Sequence, residues 1–138
     1  MFKELIEAEA LKNKYIKPQS GASPSEIKSA EKKLKVAFPN ELKTLLSEMN
    51  GDKYLFMSAN EIAERNTEVR DILGECYENL DELLFFAGNG CGDYYSYIIS
   101  NGIADETNIV RWEHETNERI PVANTLKEVI EKYFSDKI

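Results

Sequence analysis

Apolar residues recur at three- and four-residue spacing through the first half of the chain, which is the pattern of helices that bury one face. Phe2, Leu5 and Ile6 follow this pattern at the start, and Pro18 interrupts it. Residues 1–20 are therefore predicted to form a short amphipathic helix and a connector.

A second helix is predicted to begin at Ser23-Pro24-Ser25-Glu26. Ser23 can cap it, Pro24 suits the first helical position and Glu26 completes a capping box. Phe38-Pro39 ends this helix, and a third helix is predicted from Asn40 to Met49, closed by a left-handed turn at Asn50-Gly51.

The second half of the chain favours strands after one more helix. A short strand at Tyr54–Met57 and a helix capped by Ser58 or Asn60 come first, with Ile62, Val69, Ile72 and Leu73 as its apolar positions. Strands are then predicted at residues 84–87, 94–99, 109–114 and 120–122, and a last helix follows a cap at Asn124 or Thr125. Alternation places Val110 and Trp112 on one face of their strand. The predicted fold is a single α+β domain over residues 1–138, in which helices pack with an antiparallel meander.

The length and charge of the chain exclude several classes of function. The chain has 138 residues, 42% of them hydrophobic, which suits one folded domain. Its net charge of −8 is the wrong sign for neutralising a phosphate backbone, so direct binding to nucleic acid is not expected. No apolar run is long enough to cross a bilayer, and the first residues lack the pattern of a signal peptide. We therefore expect a cytoplasmic protein that does not contact a membrane.

The charge is unevenly distributed along the chain. Residues 1–37 contain eight lysines and five glutamates, a balance of +3. Residues 60–82 contain eight acids and two arginines, a balance of −6. The middle of the chain is thus an acidic surface suited to a basic partner, although most charged side chains serve only solubility.

No residue pattern points to catalysis or to a cofactor. Gly88, Gly90 and Gly92 lead into a strand, whereas a phosphate loop leads into a helix, so a tight turn explains them better. His114 is the single histidine and no spaced cysteine pair accompanies it, which disfavours a metal site. A Cys91/His114 nucleophile pair is the one catalytic alternative that the pattern leaves open. We therefore expect a protein that is not an enzyme and needs no cofactor.

The candidate contact residues combine acids with tyrosines. They are Asp93, Tyr94, Tyr95, Glu75, Glu78, Asp81 and Glu82. Tyrosines are effective interface anchors, and acids steer a basic partner. The competing interpretation is that Tyr95 lies on the core face of its strand and Asp93 only bonds turn amides.

The order of these features resembles the SUKH superfamily, which includes the yeast Smi/Knr cell-wall regulators and many bacterial immunity proteins. The matching segments are Ser23-Pro24-Ser25-Glu26-Ile27, Phe38-Pro39, Asn50-Gly51, the run from Phe86 to Tyr95 with its Gly-Asp end, and Val110-Arg111-Trp112-Glu113-His114-Glu115. The resemblance covers residues 23–134. Phe38, where the family usually has leucine, and the acidic segment 60–82 depart from the family pattern.

The resemblance implies an immunity protein, that is, an antitoxin that binds and neutralises a cognate polymorphic toxin, often a nuclease domain. The acidic charge is independently suited to a nuclease, whose own cleft must be basic. The alternative is a Smi/Knr-type regulatory scaffold or adaptor for cell-wall or signalling proteins.

Overall fold

Five helices and four strands make up the fold, which is described from a computed structural model covering residues 1–138. The helices are α1 (Phe2–Ala10), α2 (Pro24–Leu34), α3 (Asn40–Glu48), α4 (Ala59–Leu73) and α5 (Leu126–Phe134). The strands are β1 (Leu83–Gly88), β2 (Tyr94–Ser100), β3 (Ile103–Trp112) and β4 (Arg119–Ala123), and a 3₁₀ turn at Leu80–Glu82 precedes β1. The predicted α+β class is confirmed.

Local capping determines where the helices begin. Ser23 and Glu26 form a reciprocal capping box on α2, and Ser58 and Glu61 form the same box on α4. Thr125 caps α5 by accepting a hydrogen bond from the backbone N–H of Glu128. These caps satisfy backbone donors that have no partner within the helix, so the starts can be predicted from sequence alone.

The strands form an antiparallel meander in the order β1-β2-β3-β4. The β1–β2 connection is the glycine loop, defined as residues 88–93, in which Gly90 and Gly92 have positive φ. The β2–β3 turn has positive φ at Asn101 and Gly102. Both are conformations that glycine and asparagine tolerate best.

One predicted strand is wrong, and the predicted left-handed turn after α3 is confirmed at Gly51 but does not form the helix cap itself. Residues 54–57 do not form a strand, and only an isolated bridge joins Phe56 to Ala87. The reason is that Asp52 holds this segment as a turn, its Oδ1 accepting the backbone N–H groups of Tyr54, Leu55 and Phe56 at 2.7–3.0 Å. After α3, the positive φ occurs at Gly51, while the cap residue Met49 is extended.

The main core lies on one face of the sheet, which we call the inner face. It is a cluster of 29 buried residues that draws on all five helices. Phe86 and Tyr97 pack at its centre with ring centroids 4.8 Å apart. Glu41 links three elements there, because one carboxylate oxygen accepts both the Tyr97 hydroxyl at 2.8 Å and the Leu126 N–H at 3.1 Å.

The edge of β1 that faces away from β2 is covered in two parts, by the backbone of residues 55–57 near Ala87 and by side chains of helix α4 near Phe85. Asn66 is fully buried and both donates to the Phe85 carbonyl at 2.9 Å and accepts the Phe85 N–H at 2.8 Å. Arg70 donates to the Leu83 carbonyl at 2.9 Å. An open strand edge would invite pairing with another chain, and these contacts close it.

A smaller cluster lies on the opposite, outer face of the sheet. Its five buried members are Leu80, Leu83, Phe85, Val110 and Trp112. The predicted shared face of Val110 and Trp112 is therefore confirmed. Val69, Leu73 and Tyr77 pack against this cluster, so the end of α4 and the segment that follows it form its cover.

Candidate functional site

A cleft of about 640 Å³ opens where the glycine loop meets α4 and the segment 53–57. Its wall carries charges of both signs, with Lys53 and Arg65 beside Glu61 and Asp93. Tyr94 forms one side of the cleft. Two of the predicted contact residues, Asp93 and Tyr94, therefore lie together at a concave surface.

Asp93 fastens the glycine loop to the end of β3. Its Oδ1 lies 2.7 Å from His114 Nδ1 and accepts the His114 backbone N–H at 3.1 Å. Partial burial by itself raises the pKa of Asp93, but the hydrogen bonds from His114 and Asn89 outweigh it and hold that pKa below its usual value. A side chain at Gly92 would place its Cβ 2.9 Å from the imidazole, so glycine is required for this approach.

The structure gives Asp93, a predicted contact residue, a partner within the protein. Its side chain is 19% exposed and one oxygen is occupied by His114. The alternative of turn-amide bonding is also incomplete, because the main partner is the imidazole ring of His114, which lies in the turn after β3. No hydrogen bond joins His114 to Cys91, which is exposed in the loop.

Tyr94 forms a rigid ridge on the surface. Its ring stacks parallel to Trp112 at 6.0 Å and packs against Phe85 at 5.0 Å. Arg65 Nη1 donates to the Tyr94 hydroxyl at 2.7 Å, and the guanidinium also lies 5.8 Å from the ring centre. The side chain is half-buried, so its inner part is fixed by packing while an edge stays accessible.

Tyr95 is not a surface residue, which corrects its prediction as a contact residue. It is 0% exposed and points to the inner face, where its ring meets Tyr133 edge-on at 6.0 Å. Its hydroxyl has no hydrogen-bond partner, and burial raises its pKa to about 12. Adjacent residues of a strand point to opposite faces, so only one of the two tyrosines can face the cleft.

The four remaining predicted residues are all exposed. Glu75, Glu78, Asp81 and Glu82 lie in the segment between α4 and β1. This segment is held against β4 by Arg119, which donates to the carbonyls of Glu78 and Asn79 and pairs with Glu82 at 3.3 Å. The structure therefore presents these acids on an anchored segment, with the charge of Glu82 partly compensated.

The sequence pattern does not single out Arg65 and places Ile72 wrongly. Arg65 contributes only to the charge balance in the sequence, yet it lines the cleft and binds the Tyr94 hydroxyl. Ile72 is predicted on the buried side of its helix but is 68% exposed. The apolar spacing of α4 could not separate Ile72 from Val69 and Leu73, because all three fit one helical stripe.

The structure has no group of three or more histidine, cysteine or acidic side chains placed to hold a metal ion. None of its helices combines the length and apolar character needed to cross a membrane.

Comparison with known proteins bears on the family. A search of curated proteins gives no match. The family model described as SMI1 / KNR4 family (SUKH-1) matches residues 21–132, a span that runs from the start of α2 into α5 and includes the whole sheet and the cleft. The capped second helix, the glycine loop and the Trp112–His114 segment all lie within it. The match confirms the resemblance seen in the sequence, and the chain belongs to the SMI1/KNR4 (SUKH-1) family.

Proposed function

We propose that this protein is an immunity protein that binds a cognate toxin domain, a basic nuclease, and neutralises it by stoichiometric occlusion. It acts in the cytoplasm, where such a toxin reaches nucleic acid. Membership of a family that includes immunity proteins is the starting point, and the charge arrangement around α4 is the observation that carries the proposal.

The arrangement leaves the acids exposed and binds both arginines to other parts of the fold, although only Arg70 is withdrawn from solvent. Of the two arginines in residues 60–82, Arg70 is half-buried on the Leu83 carbonyl and Arg65 is bonded to Tyr94. Glu64, Asp71 and Glu75 are exposed. The balance of −6 in this segment is therefore exposed at the surface, with Arg119 of β4 partly compensating the charge of Glu82.

An outward acidic field suits capture of a nuclease. A nuclease needs a basic cleft to hold a phosphate backbone, and complementary fields speed encounter of the two proteins. Tyr94 supplies an anchor that is already ordered by Trp112 and Arg65, so little side-chain entropy is lost on binding.

The test is neutralisation of a toxin domain identified among the genes next to this one, and a locus without such a gene would contradict the proposal. Cells expressing that domain should survive only when this protein is co-expressed, and the purified pair should bind with 1:1 stoichiometry. The association rate should fall steeply as salt rises, because exposed charges are screened beyond about 8 Å at physiological ionic strength.

A matched pair of variants separates the acidic surface from net charge. Glu75→Lys should slow association, whereas Glu115→Lys, an equally large charge change on the β3–β4 connection with a side chain that is 82% exposed, should have a smaller effect. Failure of the wild-type protein to bind or neutralise the toxin domain would contradict the proposal and favour the Smi/Knr-type scaffold.

A further inference from the structure

A second depression lies next to the cleft, along the outward face of α4. It has a volume of about 370 Å³ and is lined by Arg65, Glu68, Val69, Ile72, Leu73 and Tyr94. We call it the α4 groove. The helical residues in it are spaced three and four apart, so they form one continuous stripe that ends against the Tyr94 ridge.

The floor of the groove is apolar, and one of its lining side chains, Ile72, is largely exposed to solvent. Val69 and Leu73 are half-buried because they pack against the outer cluster under the sheet. Ile72 packs into neither core cluster and remains 68% exposed. Ile72 and the apolar floor beside it together present a concave surface to which an apolar side chain of a partner can dock.

The charge in and near the groove is mostly acidic. Glu68 lines the groove one turn before Ile72, while the exposed Asp71 and Glu75 are near Ile72 in sequence without lining the groove. The single base in the groove, Arg65, is engaged by Tyr94 at 2.7 Å and by Glu68 at 3.5 Å. The chemistry complementary to this surface is an apolar side chain flanked by lysine or arginine.

We infer that the α4 groove is the docking point for one apolar side chain of the toxin domain, flanked by basic residues, with Ile72 and Tyr94 as its two contacts. This inference rests on the proposed function and adds the location and chemistry of the contact. It moves the centre of the interface from the glycine loop to the outer face of α4.

The chain offers a matched control for Ile72. Ile103 is also an isoleucine, is 65% exposed, and lies at the start of β3, outside the groove. Both Ile72→Ala and Ile103→Ala remove the same atoms from water-exposed positions, so neither is expected to change the melting temperature appreciably.

The experiment measures the affinity of wild-type, Ile72→Ala and Ile103→Ala proteins for the toxin domain encoded beside this gene, by calorimetry. Ile72→Ala should weaken binding about tenfold or more, as an interface anchor does, and Ile103→Ala should leave it within about twofold. The single variant Glu68→Lys should also weaken binding, mainly because association with the toxin domain becomes slower.

The outcomes separate the inference from the function on which it rests. Tight wild-type binding that Ile72→Ala leaves unchanged overturns the groove as docking point and keeps the immunity function. Absence of wild-type binding overturns both. Sedimentation of the isolated protein as a dimer that Ile72→Ala converts to a monomer also overturns the inference, because the groove then receives a second copy of the chain.

Discussion

The two faces of the sheet differ in how deeply they are covered. The inner face packs into a cluster of 29 buried residues, whereas the outer face has a cluster of five under the end of α4 and the segment 74–82. Stability is therefore expected to come mainly from the inner face. The elements that cover the outer face are themselves exposed to solvent, and they carry the acids and Ile72.

Tyr94 and Tyr95 show this difference within two consecutive residues. Tyr95 is sealed in the inner core with no partner for its hydroxyl, while Tyr94 is half-buried and braced by Arg65 from the solvent side. The same residue type at two neighbouring positions of one strand thus has different surroundings, because the two faces of the sheet are covered by different amounts of protein.

The largest effect is expected from truncation on the inner face. Phe86 is fully buried between Phe56 and Tyr97, so Phe86→Ala should lower the free energy of unfolding by about 3–5 kcal/mol. Urea denaturation followed by tryptophan fluorescence measures this loss. Toxin affinity of the folded fraction should be unchanged, and a loss smaller than about 1 kcal/mol would contradict the assignment of stability to this face.

A smaller loss of stability is expected on the outer face at Tyr94. Tyr94→Ala should lower the free energy of unfolding by about 2 kcal/mol, because the ring is half-buried against Phe85 and Trp112. Toxin affinity should fall as well. Tyr94→Phe is the control, since it removes only the hydroxyl that Arg65 binds, and about 1 kcal/mol or less is expected. Equal effects of the two variants would contradict ring packing as the cause.

The tie between the glycine loop and β3 is expected to contribute about 1 kcal/mol at neutral pH. Asp93→Asn tests it by thermal denaturation across a range of pH. Because hydrogen bonding lowers the folded-state pKa of Asp93 below the ordinary value of 3.8, its contribution is present above that value and is lost as pH falls through the folded-state pKa. The stability difference between wild type and variant should therefore shrink at pH below about 4. A difference that does not change with pH would show that the charge of Asp93 is not involved.

The smallest effect is expected at Cys91. Its thiol is exposed in the glycine loop and has no hydrogen bond to His114, so Cys91→Ser should leave melting temperature, toxin affinity and neutralisation in cells unchanged. Loss of neutralisation with affinity and stability preserved would revive a catalytic interpretation of the Cys91/His114 pair.

Much of the fold could be predicted because its signals are local. The Ser23 and Ser58 boxes start α2 and α4, and residues 88–93 turn the chain between two strands, with no help from distant residues. The predicted strand at residues 54–57 is wrong, because the buried carboxylate of Asp52 holds these β-forming residues as a turn. Side-chain contacts of this kind override propensity.

The candidate site was predictable only in part. The exposure of the four acids follows from their polarity. The roles assigned to Arg65 and Ile72 depend instead on Tyr94, which is 29 residues from Arg65 in sequence. Likewise, the partner of Asp93 is His114, 21 residues away on the far side of a hairpin. No spacing rule along one chain encodes such pairs.

The sequence by itself determined the α+β class, the helix starts, the meander and the acidic character of the middle segment, because these depend on neighbouring residues and on charge counts. The tertiary structure decided which tyrosine faces the cleft, that Arg70 is half-buried on β1 while Arg65 binds Tyr94, and that Ile72 stays exposed. The physical reason is that burial is a property of how helices and strands pack together. The way α4 lies along β1 leaves Ile72 on the side that no other element covers.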